Sequence, residues 1–208
     1  KLHSLLPVRR TAAAWVAGVA VVVLTGCATA PAPESSQREL VVAVTAAHEL
    51  ITFNAGQPSQ ILERRPVTGL PAGERLVGID FRVARGVLYA LSQAGRLYTL
   101  DIPTGALRAV GAAPSVVALR GTAFGFDFNP AADRIRVVSN TGQNLRLHPD
   151  TGAAVDGDAA LEGVQPDPSL RYAWSDAHAG RTPDVVAAAY TYNTQDSKLT
   201  TNYAIDRA

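Results

Sequence analysis

Shifted by 47 positions, the chain falls on itself without a gap. Gly78, Ile79, Asp80 and Phe81 land on Gly125, Phe126, Asp127 and Phe128; Leu88 lands on Ile135, Ser92 on Ser139, Gly95 on Gly142 and Leu100 on Leu147. Thr104 and Gly105 land on Thr151 and Gly152, and the same shift carries Val41, Ala43, Val44, Leu50 and Thr52 onto Leu88, Ala90, Leu91, Leu97 and Thr99. One offset kept over three copies is a structural period. Its length admits helical pairs or four-stranded propeller blades. Helical pairs need long runs of apolar residues at i, i+3 and i+4 without breakers. Here Gly, Pro, Asn and Asp interrupt short runs of Val, Leu, Tyr, Phe and Thr, the pattern of short antiparallel strands.

The expected fold is therefore all-β: a β-propeller of four-stranded antiparallel blades, incomplete in this chain and seen as an open arc. In the best repeat, residues 76–81, 87–92, 96–101 and 106–110 read as strands a to d, from innermost to outermost. Residues 123–128, 134–139, 144–148 and 153–155 repeat them. The intervening turns end on Gly95, Gly105, Gly142 and Gly152, where positive φ is expected. The first copy has b, c and d at 40–45, 50–53 and 61–66, and lacks a. In the last copy 170–174 reads as a, 184–191 as b and 199–206 as c, and the chain stops before a d. The expectation is a C-terminally truncated arc of about three and a half blades, with unpaired edges; a ring so built closes by borrowing a strand.

Residues 1–26 read as a targeting segment. Arg9 and Arg10 precede an uncharged apolar run, 11–24, which is short for a membrane span of about 20 residues. It closes on Leu24-Thr25-Gly26-Cys27, which resembles the lipobox of bacterial lipoproteins. That resemblance implies cleavage before Cys27 and lipidation of its thiol, and two or three acyl chains give stable anchoring. Cys27 is the one cysteine, so no internal disulfide is available. Residues 27–38, small, polar and Pro-rich, read as a flexible tether, and 39–208 as the propeller-like domain. Ala28, where inner-membrane lipoproteins commonly carry Asp, points to the outer membrane in a Gram-negative envelope. With 19 basic and 18 acidic residues, three of the basic ones ahead of Cys27, the domain offers no basic field for nucleic acid.

The blocks LVGIDFR, LYAL and GRLYTLD, then GTAFGFDFNPAADRIRVVSNTGQNLRLHPDTGA and VVAAAYT, resemble DUF4394, a family of bacterial secreted proteins catalogued as a domain of unknown function. The resemblance runs over residues 76–206 and is most specific in 121–152. It implies a propeller-like fold, export or anchoring, and a chain that continues past Asp206; it brings no activity with it.

Catalytic motifs are missing. No two of His3, His48, His148 and His178 are spaced as zinc ligands, and there is no nucleophile elbow, phosphate loop or dinucleotide fingerprint. Neither a cofactor nor a metal is expected; Asp156-Gly157-Asp158 lacks the later ligands of a calcium loop. Asp80 and Asp127 hold equivalent positions near the end of strand a, followed by Arg82 and Asn129. These four can line a channel mouth and hold a cation or a sugar hydroxyl. Equally, each Asp can accept backbone N–H groups and pin one blade to the next. Phe124, Phe126 and Phe128 share the opposite strand face and are expected between blades, as, less firmly, are Tyr89, Tyr98, Tyr172 and Trp174. The functional expectation is a membrane-anchored, extracytoplasmic binding module for a protein or glycan, not an enzyme. The alternative is a propeller enzyme, a hydrolase, lyase or quinoprotein-like dehydrogenase with its site at the channel mouth.

Overall fold

The computed structural model describes residues 39–115 and 117–208. The expected signal segment, the expected lipidation at Cys27 and the expected tether fall on residues outside them. The described chain is all-β, with antiparallel sheets of two to four strands and a single three-residue 3-10 turn, Val83–Arg85. β1 (Leu40–Val44), β2 (Glu49–Asn54) and β3 (Ile61–Pro66) form the first sheet. The second is β4 (Leu76–Arg82), β5 (Val87–Ser92), β6 (Leu97–Leu100) and β7 (Leu107–Ala109), paired in chain order. The third is β8 (Phe124–Asn129), β9 (Arg134–Ser139) and β10 (Asn144–Leu147), with Ala154 bridging Leu147 where a fourth strand would lie. The last is the pair β11 (Val185–Tyr190) and β12 (Asn202–Asp206).

The 47-residue offset holds in the hydrogen-bond register. Asp80 pairs with Tyr89 and Phe81 with Leu88; one period on, Asp127 pairs with Arg136 and Phe128 with Ile135. Tyr89 opposite Thr99 becomes Arg136 opposite Arg146, and, one period back, Val42 opposite Thr52. Because side chains alternate across a strand, a slip of one residue would have turned every apolar side chain to the wrong face. The turn glycines behave as their positions require: Gly95, Gly105, Gly142 and Gly152 have φ between 71° and 79°. At the a–b turn, Gly86 (φ 63°) has Asp133 (φ 48°) as its repeat mate; Asp is one of the few residues that tolerate this region.

Sheets pack face to face, and β5 shows why its sequence is apolar almost throughout. Leu88 and Ala90 join the core shared with the first sheet, alongside Leu50, Tyr98 and Leu100. Tyr89 and Leu91 point the other way, into the core made with Phe126, Phe128, Ile135, Val137 and Leu145 of the third sheet. A strand covered on both faces loses the polar alternation of a half-solvated one. Each fully buried Leu or Ile here stabilises by about 1.5–3 kcal/mol, and among the described residues no disulfide contributes.

The last repeat differs from the expectation. Residues 170–174 form no strand, and β11, read as a second strand, packs against β8 as β8 packs against β4. Gly125 faces Ala188 of β11 as Gly78 faces Phe126 of β8. The Asp127 carboxylate takes the Tyr190 N–H as Asp80 takes that of Phe128. Those two bonds span 63 and 48 residues, so the long connection before β11 is an insertion outside the strand pattern. It is moored by Asp167, which accepts from Arg146 in bidentate fashion and from Arg136 at 2.8 Å, and these are the charges that offset its partial burial. β12 follows as the second strand, not the third. Tyr89 and Tyr98 are buried as expected, while Trp174, on the insertion, is 92% exposed and packs between no sheets.

Candidate functional site

Asp80, Arg82, Asp127 and Asn129 line one cavity of about 250 Å³, together with Phe81, Pro130, Asp133, Tyr190, Tyr192 and Ser197. Repetition brings them there. β4 and β8 lie side by side in the same orientation, so equivalent residues arrive at the same end.

The two carboxyls do edge work first. Phe128 N–H points away from β9 and donates to Asp80 Oδ2 at 2.7 Å; Tyr190 N–H donates to Asp127 Oδ2 at 2.6 Å. Each Asp thus closes an unpaired donor on the first strand of the next sheet, where an orphaned N–H would cost about 1–3 kcal/mol. The same geometry brings the two carboxyls close enough to perturb each other's titration. Burial pushes both pKa values up, opposed by the backbone N–H groups. Asp127 is pushed to about 7 by burial, with the Asp80 charge adding. Asp127 therefore stays protonated until the pH rises through about 7.

That proton has a thermodynamic signature. An unfolded Asp ionises at its ordinary 3.8 and Asp127 in the fold near 7, so the native state binds the extra proton between those values. Stability accordingly falls as pH rises from about 4 through 7. Asp127→Asn keeps an oxygen for Tyr190 N–H and has no proton to lose. It is expected to match wild type near pH 4 and exceed it at pH 8 by about 1 kcal/mol, a figure reduced for solvent screening of a partly exposed group. Urea denaturation at the two pH values checks it; an equal difference at both would show that Asp127 does not hold the proton.

Arg82 is committed elsewhere in the same wall. Its side chain is 4% exposed, Nε donates to Asp133 Oδ1 at 2.8 Å, Nη2 to Asp133 Oδ2, and Nη1 to Asp150 Oδ1 at 2.6 Å. It therefore braces β4 against two turns of the third sheet. Asn129, its repeat mate, caps its own turn by accepting from the N–H groups of Ala131 and Ala132. Sequence reasoning misses Asp133 and Asp150, which face Arg82 across sheets, and Tyr190 and Tyr192, because β11 reads from the sequence as the second strand of its sheet. Asp133 standing where the preceding repeat has Gly86 was the one available signal.

Elsewhere His48 and His148 sit in turns and His178 on the insertion, and Asp156 folds onto the N–H groups of Asp158 and Gln165. Among the described residues no group of three or more His, Cys, Asp or Glu is placed to hold a metal ion.

Residues 49–208, from β2 to the last strand, match the family described as Domain of unknown function (DUF4394). The chain belongs to the DUF4394 family. No curated protein is significantly similar to it. Within this DUF4394 domain, the match takes in both Asp-bearing strands and every residue lining the cavity.

Proposed function

We propose that this DUF4394 domain is a segment of a β-propeller, tethered to the outer face of a bacterial envelope membrane through lipidated Cys27, that binds a glycan. The observation that carries the binding role is the cavity at one end of β4, β8 and β11. Its floor offers carboxyl oxygens of Asp80 and Asp127, and Tyr190 and Tyr192 form part of the wall. Carboxyl and amide groups that accept and donate to hydroxyls, beside aromatic faces, suit a hydroxyl-rich ligand. The propeller reading is supported by sheets of repeated register packed face to face with their inner strands adjacent. Anchoring is supported by Leu24-Thr25-Gly26-Cys27 ahead of a Pro-rich tether.

A second reading keeps the site and makes it catalytic. A carboxyl titrating near 7 beside a second carboxyl is also what general acid–base chemistry uses. One set of measurements separates the two. The full chain in a bacterial host is expected in the membrane fraction, with Cys27→Ala shifted to the soluble one. On a glycan array, Tyr192→Ala is expected to bind at least tenfold more weakly than wild type at unchanged thermal stability, since Tyr192 is 45% exposed. No glycan retained by wild type, or equal retention by the variant, removes the binding role; release of shortened glycan transfers it to the enzyme.

A further inference from the structure

Three sheets meet at the Asp80–Asp127 cavity, and each presents there the connection from its first strand to its second. β4 and β5 are joined by residues 83–86, β8 and β9 by 130–133, and β11 and β12 by 191–201. The first two connections have four residues each and the third has eleven. The extra length is not slack. At its base Thr191 N–H donates to the Thr201 carbonyl at 2.9 Å, Thr201 N–H to Thr191 Oγ1 at 2.9 Å, and Thr200 Oγ1 to the Thr191 carbonyl at 2.7 Å. Its tip is folded by Asn193 Oδ1, which accepts from the N–H groups of Gln195 and Asp196, and by Asp196 Oδ1, which accepts from Lys198 N–H. A hairpin held by its own bonds presents side chains to a ligand with less ordering left to do on binding.

The short connections bring the cavity no hydroxyl. One contributes Val83 and Ala84, the other Pro130 and Asp133, and Asp133 holds Arg82 through both carboxylate oxygens. The other polar groups of the wall also have work within the fold. Asp80 and Asp127 each accept a backbone N–H, Asn129 Oδ1 caps its own turn, and the Tyr190 hydroxyl accepts from Arg136 Nε at 3.4 Å. The long connection adds Tyr192 and Ser197. The bonds that shape it use the side chains of Thr191, Asn193, Asp196 and Thr200, which leaves the Ser197 hydroxyl to the cavity.

Resting on the glycan reading above, we infer that Ser197 is the specificity-determining residue of this site and reads the configuration of one hydroxyl of the bound sugar, so that epimers are told apart. Asp80 and Asp127 recur with the repeat and are tied to the packing of one sheet on the next. Ser197 stands on the one connection of the three that has outgrown its mates, where packing asks nothing of it. Tyr192 supplies contact area to whatever sugar is seated there. A serine hydroxyl both donates and accepts, so it can meet a sugar hydroxyl in either role, but only where that hydroxyl points toward it. A neutral hydrogen bond made to one epimer and not to the other is worth a factor of about two to ten in affinity.

The probe is a set of immobilised oligosaccharides matched except for a terminal glucose, galactose or mannose, the last two each differing from glucose at one hydroxyl. The full chain is expected to retain one epimer at least threefold more tightly than another. Ser197→Ala is expected to bring that ratio under twofold, with the loss confined to the preferred epimer. Ser197→Thr, which keeps the hydroxyl, is expected to hold the ratio. Both variants should melt with wild type, since Ser197 is exposed. Tyr192→Ala is expected to weaken every epimer. Equal retention of the epimers by wild type, an unchanged ratio in Ser197→Ala, or a loss in that variant common to all epimers overturns the assignment of Ser197 and leaves glycan binding standing. A wild type that retains no glycan removes the glycan reading, and the role of Ser197 goes with it.

Discussion

Arg82→Ala is expected to lower the unfolding free energy by about 3 kcal/mol, measured by urea denaturation at pH 7. The guanidinium is 4% exposed and makes three hydrogen bonds to two carboxylates on separate turns. Asp133 and Asp150 hold its pKa well above the ordinary arginine value, outweighing burial. Each charge-assisted bond contributes about 1.5–3 kcal/mol, but the total is not reached. Asp133 and Asp150 are 48% and 55% exposed and regain water once the arginine is gone. Asp133→Asn is instructive by contrast. It keeps a residue that tolerates φ 48° yet leaves a buried cation with half its fork unfilled, so its loss is expected to approach that of Arg82→Ala. Arg82→Lys restores the charge without the fork and is expected to recover less than half. A loss under about 1 kcal/mol for Arg82→Ala would mean that the turns do not depend on this bridge.

What the sequence discloses about this fold follows from how local each determinant is. The strands of the second and third sheets are legible because a period imposes the same turn glycines and the same alternation at fixed distances, as with Gly95 and Gly142. The place of β11 is not legible because the insertion ahead of it breaks the period, and VVAAAY has no Asp or Gly to mark it as the first strand of its sheet. Its position is decided by a contact, Gly125 against Ala188, that no pattern within β11 announces. Asp80, Arg82, Asp127 and Asn129 do converge on one cavity, because equivalent positions in packed repeats must. Their partners were not legible: Arg82 pairs with Asp133 and Asp150 across 51 and 68 residues. The two readings of the aspartates also prove compatible in geometry, since one carboxyl oxygen closes a backbone donor while the group still lines the cavity.

Gly125→Val is the sharper test of how the sheets meet, with an expected loss of about 3 kcal/mol or more. The backbone of Gly125 is not left-handed, and it sits mid-strand in β8, where valine is a favoured residue. Propensity alone predicts stabilisation. Space predicts the reverse. A Cβ there would stand 2.5 Å from Ala188 N, 2.7 Å from Ala188 Cβ and 2.8 Å from Ala187 C, mostly backbone atoms that cannot swing aside. β8 and β11 must then part, stretching the bond from Tyr190 N–H to Asp127 Oδ2 two residues away. Gly86→Asn is the matched control. Its φ of 63° is left-handed, no atom lies within 4 Å of the added Cβ, and Asp133 occupies the equivalent turn one period on. It is expected to cost under about 1 kcal/mol. Thermal unfolding of the two variants decides between the rules. If Gly125→Val proves neutral or stabilising, β8 and β11 are not packed backbone to backbone, and the placement of β11 against β8 falls with that contact.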